Sequence, residues 1–292
     1  MNRNGDLLLT ATAPAVWGST YLVTTELLPA GHPITISLLR ALPAGLLLLL
    51  MVRQLPTGIW WLRTAILGAL NFTIFWWTLF IAAYRLPGGV AATVVAIQPL
   101  MVVLLARLLL GAPMRPLALF AAAAGVGGVA LLVLTPEAAL DPIGIAAGLA
   151  GAVSMAAGTV LSRRWQPPVS PLTFTAWQLT AGGVLLLPAA ILLEPPLRDL
   201  TSANVIGLVY LGLIGAALTY MLWFRGIARL DPGVVAPLVL LSPVTAVILG
   251  WLVLSQDLTV AQLAGVALVL ASVWLGQHAQ RPGPAAPAPA AR

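Results

Sequence analysis

Apolar runs follow one another along almost the whole of this chain, divided by charged residues, prolines and glycines. A helix that crosses a bilayer needs about 20 such residues, since ~1.5 Å per residue must cover a core of ~30 Å. Read this way the chain predicts ten segments, at roughly 7–26, 34–52, 62–83, 88–109, 117–134, 143–161, 171–193, 205–224, 233–253 and 260–276. The connections are short, which predicts helices packed beside their sequence neighbours. The stretch from 277 to 292 ends in RPGPAAPAPAAR, a Pro/Ala-rich composition that predicts a disordered tail.

One pattern recurs. Arg85 to Pro99, RLPGGVAATVVAIQP, is repeated 144 positions later without a gap by Arg229 to Pro243, RLDPGVVAPLVLLSP, with seven of fifteen positions identical. The same offset pairs Gly68 with Gly212, Phe80 with Phe224, Val129 with Val273 and Leu131 with Leu275; nearer the start of each half Gly18 faces Gly158, Thr35 faces Thr173 and Gly45 faces Gly183. The chain therefore divides into a first repeat, 1–136, and a second, 137–276. Five helices is an odd number, so the second copy must enter the membrane in the opposite direction. The fold class that follows is an all-α integral membrane protein of ten transmembrane helices, built as two inverted five-helix repeats around a central cavity.

Arginine placement orients the bundle. Arg3, Arg53, Arg63, Arg107, Arg115, Arg163, Arg164, Arg225, Arg229, Arg281 and Arg292 fall on the side of the termini, while only Arg85 and Arg198 fall opposite and Arg40 lies within a helix. Both termini are expected in the cytoplasm, in the inner membrane of a cell. The formal charge of +6 and pI of about 11.0 are explained by this bias rather than by nucleic acid, because the arginines are spread singly. With 60% hydrophobic residues, 8% charged and a mean hydropathy of +1.02, the chain has no water-soluble surface, and its expected surroundings are lipid. The sequence sets no oligomeric state, and a monomer is compatible with it.

Trp17-Gly18-Ser19-Thr20 in the first segment, Leu39-Arg40-Ala41 in the second, the pairs Gln98-Pro99 and Ser242-Pro243, and Leu258-Thr259, Gln262 and Gly265 at the start of the last one resemble the drug/metabolite transporter superfamily, its EamA-type exporters, over nearly all of residues 7–276. More narrowly the chain is similar to bacterial inner-membrane exporters of aromatic and other neutral amino acids. The resemblance implies ten helices around a central cavity and export rather than uptake. That family usually places Glu after its fourth and ninth helices, where this chain has Ala112 and Gln256.

Arg40 lies about six residues, or roughly 9 Å, inside its helix. A charge at depth costs about 2.5–3.5 kcal/mol on insertion scales, so it must face protein or water. It can attract a substrate carboxylate, or it can snorkel or bond carbonyls freed by a neighbouring kink. Pro99 and Pro243 each remove a backbone hydrogen bond, and two equivalent kinks point to a gate or site between the halves. Trp17, Tyr21, Trp76, Trp77, Trp177 and Tyr220 are candidates to line a pocket, alternatively to face lipid. Trp60, Trp61, Trp165 and Trp251 read as an interfacial belt. Ser19, Asn71, Gln98, Gln178 and Ser242 are candidates to bond a zwitterion, alternatively to join helices. No Asp or Glu lies deep in any segment, so an embedded proton relay is not expected and transport down a gradient is. An intramembrane enzyme would need a nucleophile and base or a metal set; cysteine is absent and no histidine is embedded, so neither catalysis nor a metal is expected. No Walker-type phosphate loop and no cofactor motif is present. A passive channel would need a continuous polar stripe, against which the two mid-helix prolines argue.

Overall fold

Every regular element among the described residues is helical. The structure, a computed structural model, describes residues 3–86, 88–133 and 141–279, apart from the side chains at 21, 83, 84 and 88–90. The expected boundary at 136/137 and the tail beyond 279 lie outside the described residues. The helices are α1 (Arg3–Leu27), α2 (Pro33–Val52), α3 (Trp60–Ala82), α4 (Ala91–Leu110), α5 (Pro116–Val133), α6 (Pro142–Arg164), α7 (Pro171–Leu193), α8 (Ser202–Arg229), α9 (Pro232–Leu254) and α10 (Val260–Ala279). Helices are the form this sequence must take, because lipid offers no partner to an open backbone. Pro33, Pro116, Pro142, Pro171 and Pro232 each open one, at a position whose missing N–H would have had no helical acceptor. Asp141 and Ser170 cap α6 and α7 by accepting from Gly144 N and Thr173 N.

Nine of these helices are long and apolar enough to cross a membrane. The tenth, α1, has 25 residues, but Asp6, Thr10, Thr12, Ser19 and Thr20 dilute its apolar run.

Packing runs across the halves more than between sequence neighbours, which corrects the expectation drawn from short connections. α2 lies along α7 and α5 along α10, while α1 packs on α8 and α9 as α6 packs on α3 and α4. That is the pattern of a two-fold relation between inverted repeats. Short loops restrain only helix ends; small residues at the crossings decide which faces meet. On α2 and α7 the notches are reciprocal. A Cβ on Gly45 would lie 2.8 Å from Leu179 C, and one on Gly183 would lie 2.7 Å from Leu42 Cβ and 2.8 Å from its Cα. Gly18 brings α1 equally close to α9, 2.6 Å from Thr245 Cβ by the same construction.

The internal breaks also repeat. α3 contains a π-bulge at Ala69–Thr73 and α8 one at Leu213–Leu218, so the starts differ by 213 − 69 = 144. In α4 the helix stops at Val95 and resumes at Gln98, since Pro99 has no N–H to offer Val95 O. In α9 the distortion is longer: a 3₁₀ stretch over Ala236–Leu240 precedes the helix from Leu241. Pro237, which the sequence reading passed over, sits in that stretch beside the expected Pro243.

Because Gly183 faces backbone while Gly127 meets nothing nearer than Leu268 Cδ2 at 3.9 Å, Gly183→Ala is expected to lower stability by about 1–3 kcal/mol, and Gly127→Ala to leave it unchanged. Thermal unfolding of the purified proteins in detergent distinguishes the two.

Candidate functional site

A column of aromatic rings runs through the interface of the halves. Trp60 packs on Trp177 and Phe174 with centroids 6.4 and 6.5 Å apart, Phe174 on Phe224 at 5.8 Å, Phe224 on Tyr220 at 5.8 Å, Tyr220 on Phe72 at 4.7 Å and Phe72 on Trp76 at 5.4 Å. Trp17 joins from the side, 4.9 Å from Tyr220 and 5.3 Å from Trp223. α3 supplies Trp60, Phe72 and Trp76; α7 supplies Phe174 and Trp177; α8 supplies Tyr220, Trp223 and Phe224. Tilted and edge-on contacts of this kind are each worth about 0.5–1.5 kcal/mol beyond area burial. Arg40 Cζ lies 5.3 Å from the Trp76 ring centre, where the negative face of the indole attracts it.

Beside the column runs a polar chain built on the α8 bulge. Trp17 Nε1 donates to Thr219 Oγ1 at 2.9 Å, Thr219 Oγ1 donates to Gly215 O at 2.9 Å, and Arg40 Nη2 donates to that same carbonyl at 2.7 Å. A π-bulge lengthens the ring of backbone bonding and releases carbonyls. Here Gly215 O, in the bulge, accepts from a guanidinium of α2, a backbone-carbonyl contact of the kind the sequence allowed as the second role of Arg40. The α3 bulge has its own answer, Ser154 Oγ donating to Leu70 O at 2.8 Å. Next to it Asn71 Nδ2 donates to Gln178 Oε1 at 2.8 Å and to Ser162 Oγ at 3.3 Å, with Asn71 seated against Gly158. The Gly45/Gly183 pairing has an offset of 183 − 45 = 138, under which Arg40 corresponds to Gln178; at 144, Asn71 corresponds to Gly215. The two polar contacts are therefore repeat images of one another.

Several buried polar atoms are left without a hydrogen-bond partner: Asn71 Oδ1, Gln178 Nε2, Gln98 Nε2, Thr159 Oγ1 and Trp223 Nε1. Gln98 is 2% exposed and Asn71 and Gln178 fully buried, so each carries the desolvation cost of an unmade bond.

The expected residues thus fall into three places. Trp17, Arg40, Trp76, Trp177 and Tyr220 meet in the column, Trp177 also donating to Gln54 O at 2.6 Å. Asn71, Gln98 and Gln178 are buried at helix breaks or beside them, Gln98-Pro99 opening the second part of α4 and Ser242-Pro243 standing at the start of that part of α9. Ser19 Oγ donates to Val16 O at 2.7 Å within α1 and joins α1 to α8 through Tyr210 Oη, also at 2.7 Å. The Tyr21 side chain lies outside those described. Trp77 stands apart, 40% exposed, on a cleft of ≈ 230 Å³ that Ile34, Phe80 and Glu194 also line. There Glu194 accepts from Ile34 N and Thr35 N, both at 2.7 Å, and so holds the end of α7 to the start of α2. Among the tryptophans expected as a belt, Trp61 and Trp251 are exposed, whereas Trp60 and Trp165 turn inward and clasp Arg63, 4.9 and 5.5 Å from their centres.

Two stretches, residues 4–134 and 142–276, match the model of the EamA-like transporter family. This chain belongs to that family. Protein PecM of Dickeya dadantii is 45% identical over 267 residues, covering 91% of this chain and 90% of its own. The inner membrane transporter YedA of Escherichia coli K12 is 30% identical, covering 80% and 78%, and a chloroplastic WAT1-related protein of Arabidopsis thaliana is 30% identical, covering 89% and 66%. A solved crystal structure superposes with a TM-score of 0.81 over 96% of this chain and 100% of its own, at 23% identity, which speaks to the fold. The EamA-like membership makes this a multi-pass membrane transporter.

Sequence reasoning missed Phe72, Phe174, Thr219 and Gly215. Phe and Thr are ordinary in an apolar helix, and no proline announces the α8 bulge; the spacing of Tyr220, Trp223 and Phe224 on one helical face is a signal that could have pointed to the column. In this EamA-family chain Thr219→Val is expected to cost about 1–3 kcal/mol by stripping Trp17 Nε1 of its acceptor, while Thr219→Ser stays within about 1 kcal/mol. Denaturant unfolding followed by tryptophan fluorescence checks both.

Proposed function

We propose that this transporter exports aromatic and other neutral amino acids by alternating access of its two five-helix repeats, 1–136 and 137–276, and that it does so down the substrate gradient. The observation that carries the reading is Arg40, half-buried, set on the Trp76 face at one end of a ring column. A guanidinium matches a carboxylate in geometry as well as charge, and a column of rings can exchange ring-on-ring contacts for contacts with an aromatic side chain. The α-ammonium group needs acceptors; indole faces and carbonyls at the α4 and α9 breaks provide them. Asn71, Gln98, Gln178 and Ser242 complete the polar lining, with Trp77 in the cleft as an outer station. The arginine bias supports a cytoplasmic position for both termini.

Mechanism follows from what the middle of the bundle holds. Asp6, Glu26, Asp141 and Glu194 stand at helix ends, so no carboxylate in the described spans can relay a proton at depth. The substrate gradient then sets the direction of net flux, and differences in the binding of cargo to the two closed forms set only how the states are populated. An uncharged ring column also accommodates lipophilic drugs, and efflux of such compounds is the second reading.

Liposomes containing the purified protein are expected to exchange radiolabelled phenylalanine, tryptophan and other neutral amino acids saturably, with counter-exchange. Trp76→Ala and Gln98→Ala should each lower flux about tenfold, and Arg40→Gln should remove most discrimination between an amino acid and its decarboxylated amine. A panel in which no neutral amino acid moves or competes refutes the cargo assignment, and flux that follows an imposed pH gradient refutes the uncoupled mechanism.

A further inference from the structure

The duplicated stretch begins with an arginine in each copy, Arg85 and Arg229, and neither belongs to the ring column or its polar chain. Arg229 Nη1 lies 3.4 Å from Asp6 Oδ1, and Arg225 Nη2, one turn earlier on α8, lies 2.6 Å from the same oxygen. Arg85 Nη1 lies 3.6 Å from Asp141 Oδ2. Arg229 ends α8, Arg85 ends the helical run Ile74–Arg85 that continues α3 past Ala82, and each acid stands at the start of the first helix of the other half. The two ion pairs sit on opposite faces of the bundle, because the repeats are inverted.

We propose that these pairs are the two latches of the transport cycle, Asp6–Arg225–Arg229 closing the face that holds the N-terminus and Arg85–Asp141 closing the opposite face, and that their unequal strength sets the resting state. The proposal rests on alternating access as read above. Beneath each pair a buried side chain packs tightly against a glycine. On the N-terminal face Thr10, fully buried, fills the notch left by Gly226; on the other, Leu86, 4% exposed, packs where a Cβ on Gly144 would lie 2.6 Å from its Cγ. Arg163 donates to Ile227 O and Ala228 O and so pins the end of α8 that presents Arg229.

The latches differ in distance and in water. The Arg225 and Asp6 side chains are 16% and 11% exposed, those of Arg85 and Asp141 46% and 36%. A short, water-poor pair holds more strongly than a long, wet one, because solvent screens the second. The resting transporter is therefore closed on the N-terminal face, and the cleft bearing Trp77 and Glu194 lies at the opposite one. Cargo reaching the ring column from the N-terminal side has to displace the stronger latch.

Cysteine is absent from the chain, so single cysteines report accessibility without background. Thr10→Cys is placed beneath the first latch and Ala82→Cys, fully buried beside Leu86, beneath the second. A membrane-impermeant maleimide is applied to each face of sealed vesicles. Asp6→Asn is expected to raise labelling of Thr10→Cys about tenfold and to lower that of Ala82→Cys; Arg85→Gln should act in the reverse sense by about two- to fivefold. Arg229→Gln, which removes only the longer contact, gives a smaller shift in the direction of Asp6→Asn and stands in for it should that variant not reach the membrane. Unchanged labelling, or a rise at both reporters together, overturns the proposal, since a general loosening exposes both faces whereas a latch trades one for the other. The readout needs no cargo, so it stands or falls separately from the amino-acid flux measurement.

Discussion

A helix in lipid has no water to answer a carbonyl whose backbone bonding is disturbed, and this protein departs from regular α-helical bonding twice in its middle, at repeat-equivalent π-bulges. Each unanswered group would cost several kcal/mol in hydrocarbon. Ser154 answers Leu70 O on α3, and Arg40 answers Gly215 O on α8. The position of Arg40 is thus fixed from two directions, by a backbone dipole and by the Trp76 ring, and α2 is held to α8 as a consequence. The reciprocal notches at Gly45 and Gly183 then determine how α2 meets α7, so that the ring column is assembled from helices of both halves. The bulges are the structural premise, and the column follows from them.

Inversion of the repeats explains why similar sequences do different work. The stretch that carries Arg85 ends α3 on one face, and the stretch that carries Arg229 ends α8 on the other. Arg40 and Gln178 occupy matching positions, yet one brings a permanent charge and the other a neutral amide whose partner is Asn71. With Arg40 on one side and Asn71–Gln178 on the other, the interface of the halves has a cationic and a neutral end.

Much of the fold was legible because lipid makes helix length and charge placement strict. Segment number, the 144-residue repeat and the breaks at Gln98-Pro99 and Ser242-Pro243 all follow from run lengths and prolines. Helix partners were not legible. Loop length suggested neighbours, whereas glycines facing backbone at Gly45, Gly183 and Gly18 chose partners from the other half. Trp60 and Trp165 look like belt residues by position, but Arg63 beside them turns both inward, and a lone arginine near a helix end gives no sign of that. The bulges left no mark that single-sequence reading can use, since their residues, ALNFT and LIGAAL, are ordinary helix formers in an apolar setting; only the match of their positions across the repeat distinguishes them.

The unpartnered amides bear on what the centre is for. Asn71 Oδ1, Gln178 Nε2 and Gln98 Nε2 are buried with no acceptor or donor in reach, and an unmade bond at such a site costs about 1–3 kcal/mol. Leucine or methionine in their place would fill similar volume without that penalty, so packing alone does not account for them. Trp223 Nε1 on α8 is fully buried and without a hydrogen-bond partner as well. Under the proposed alternating access, a polar cargo between the halves would recover these costs, and a cargo with several donors and acceptors close together would recover more of them than a purely lipophilic one.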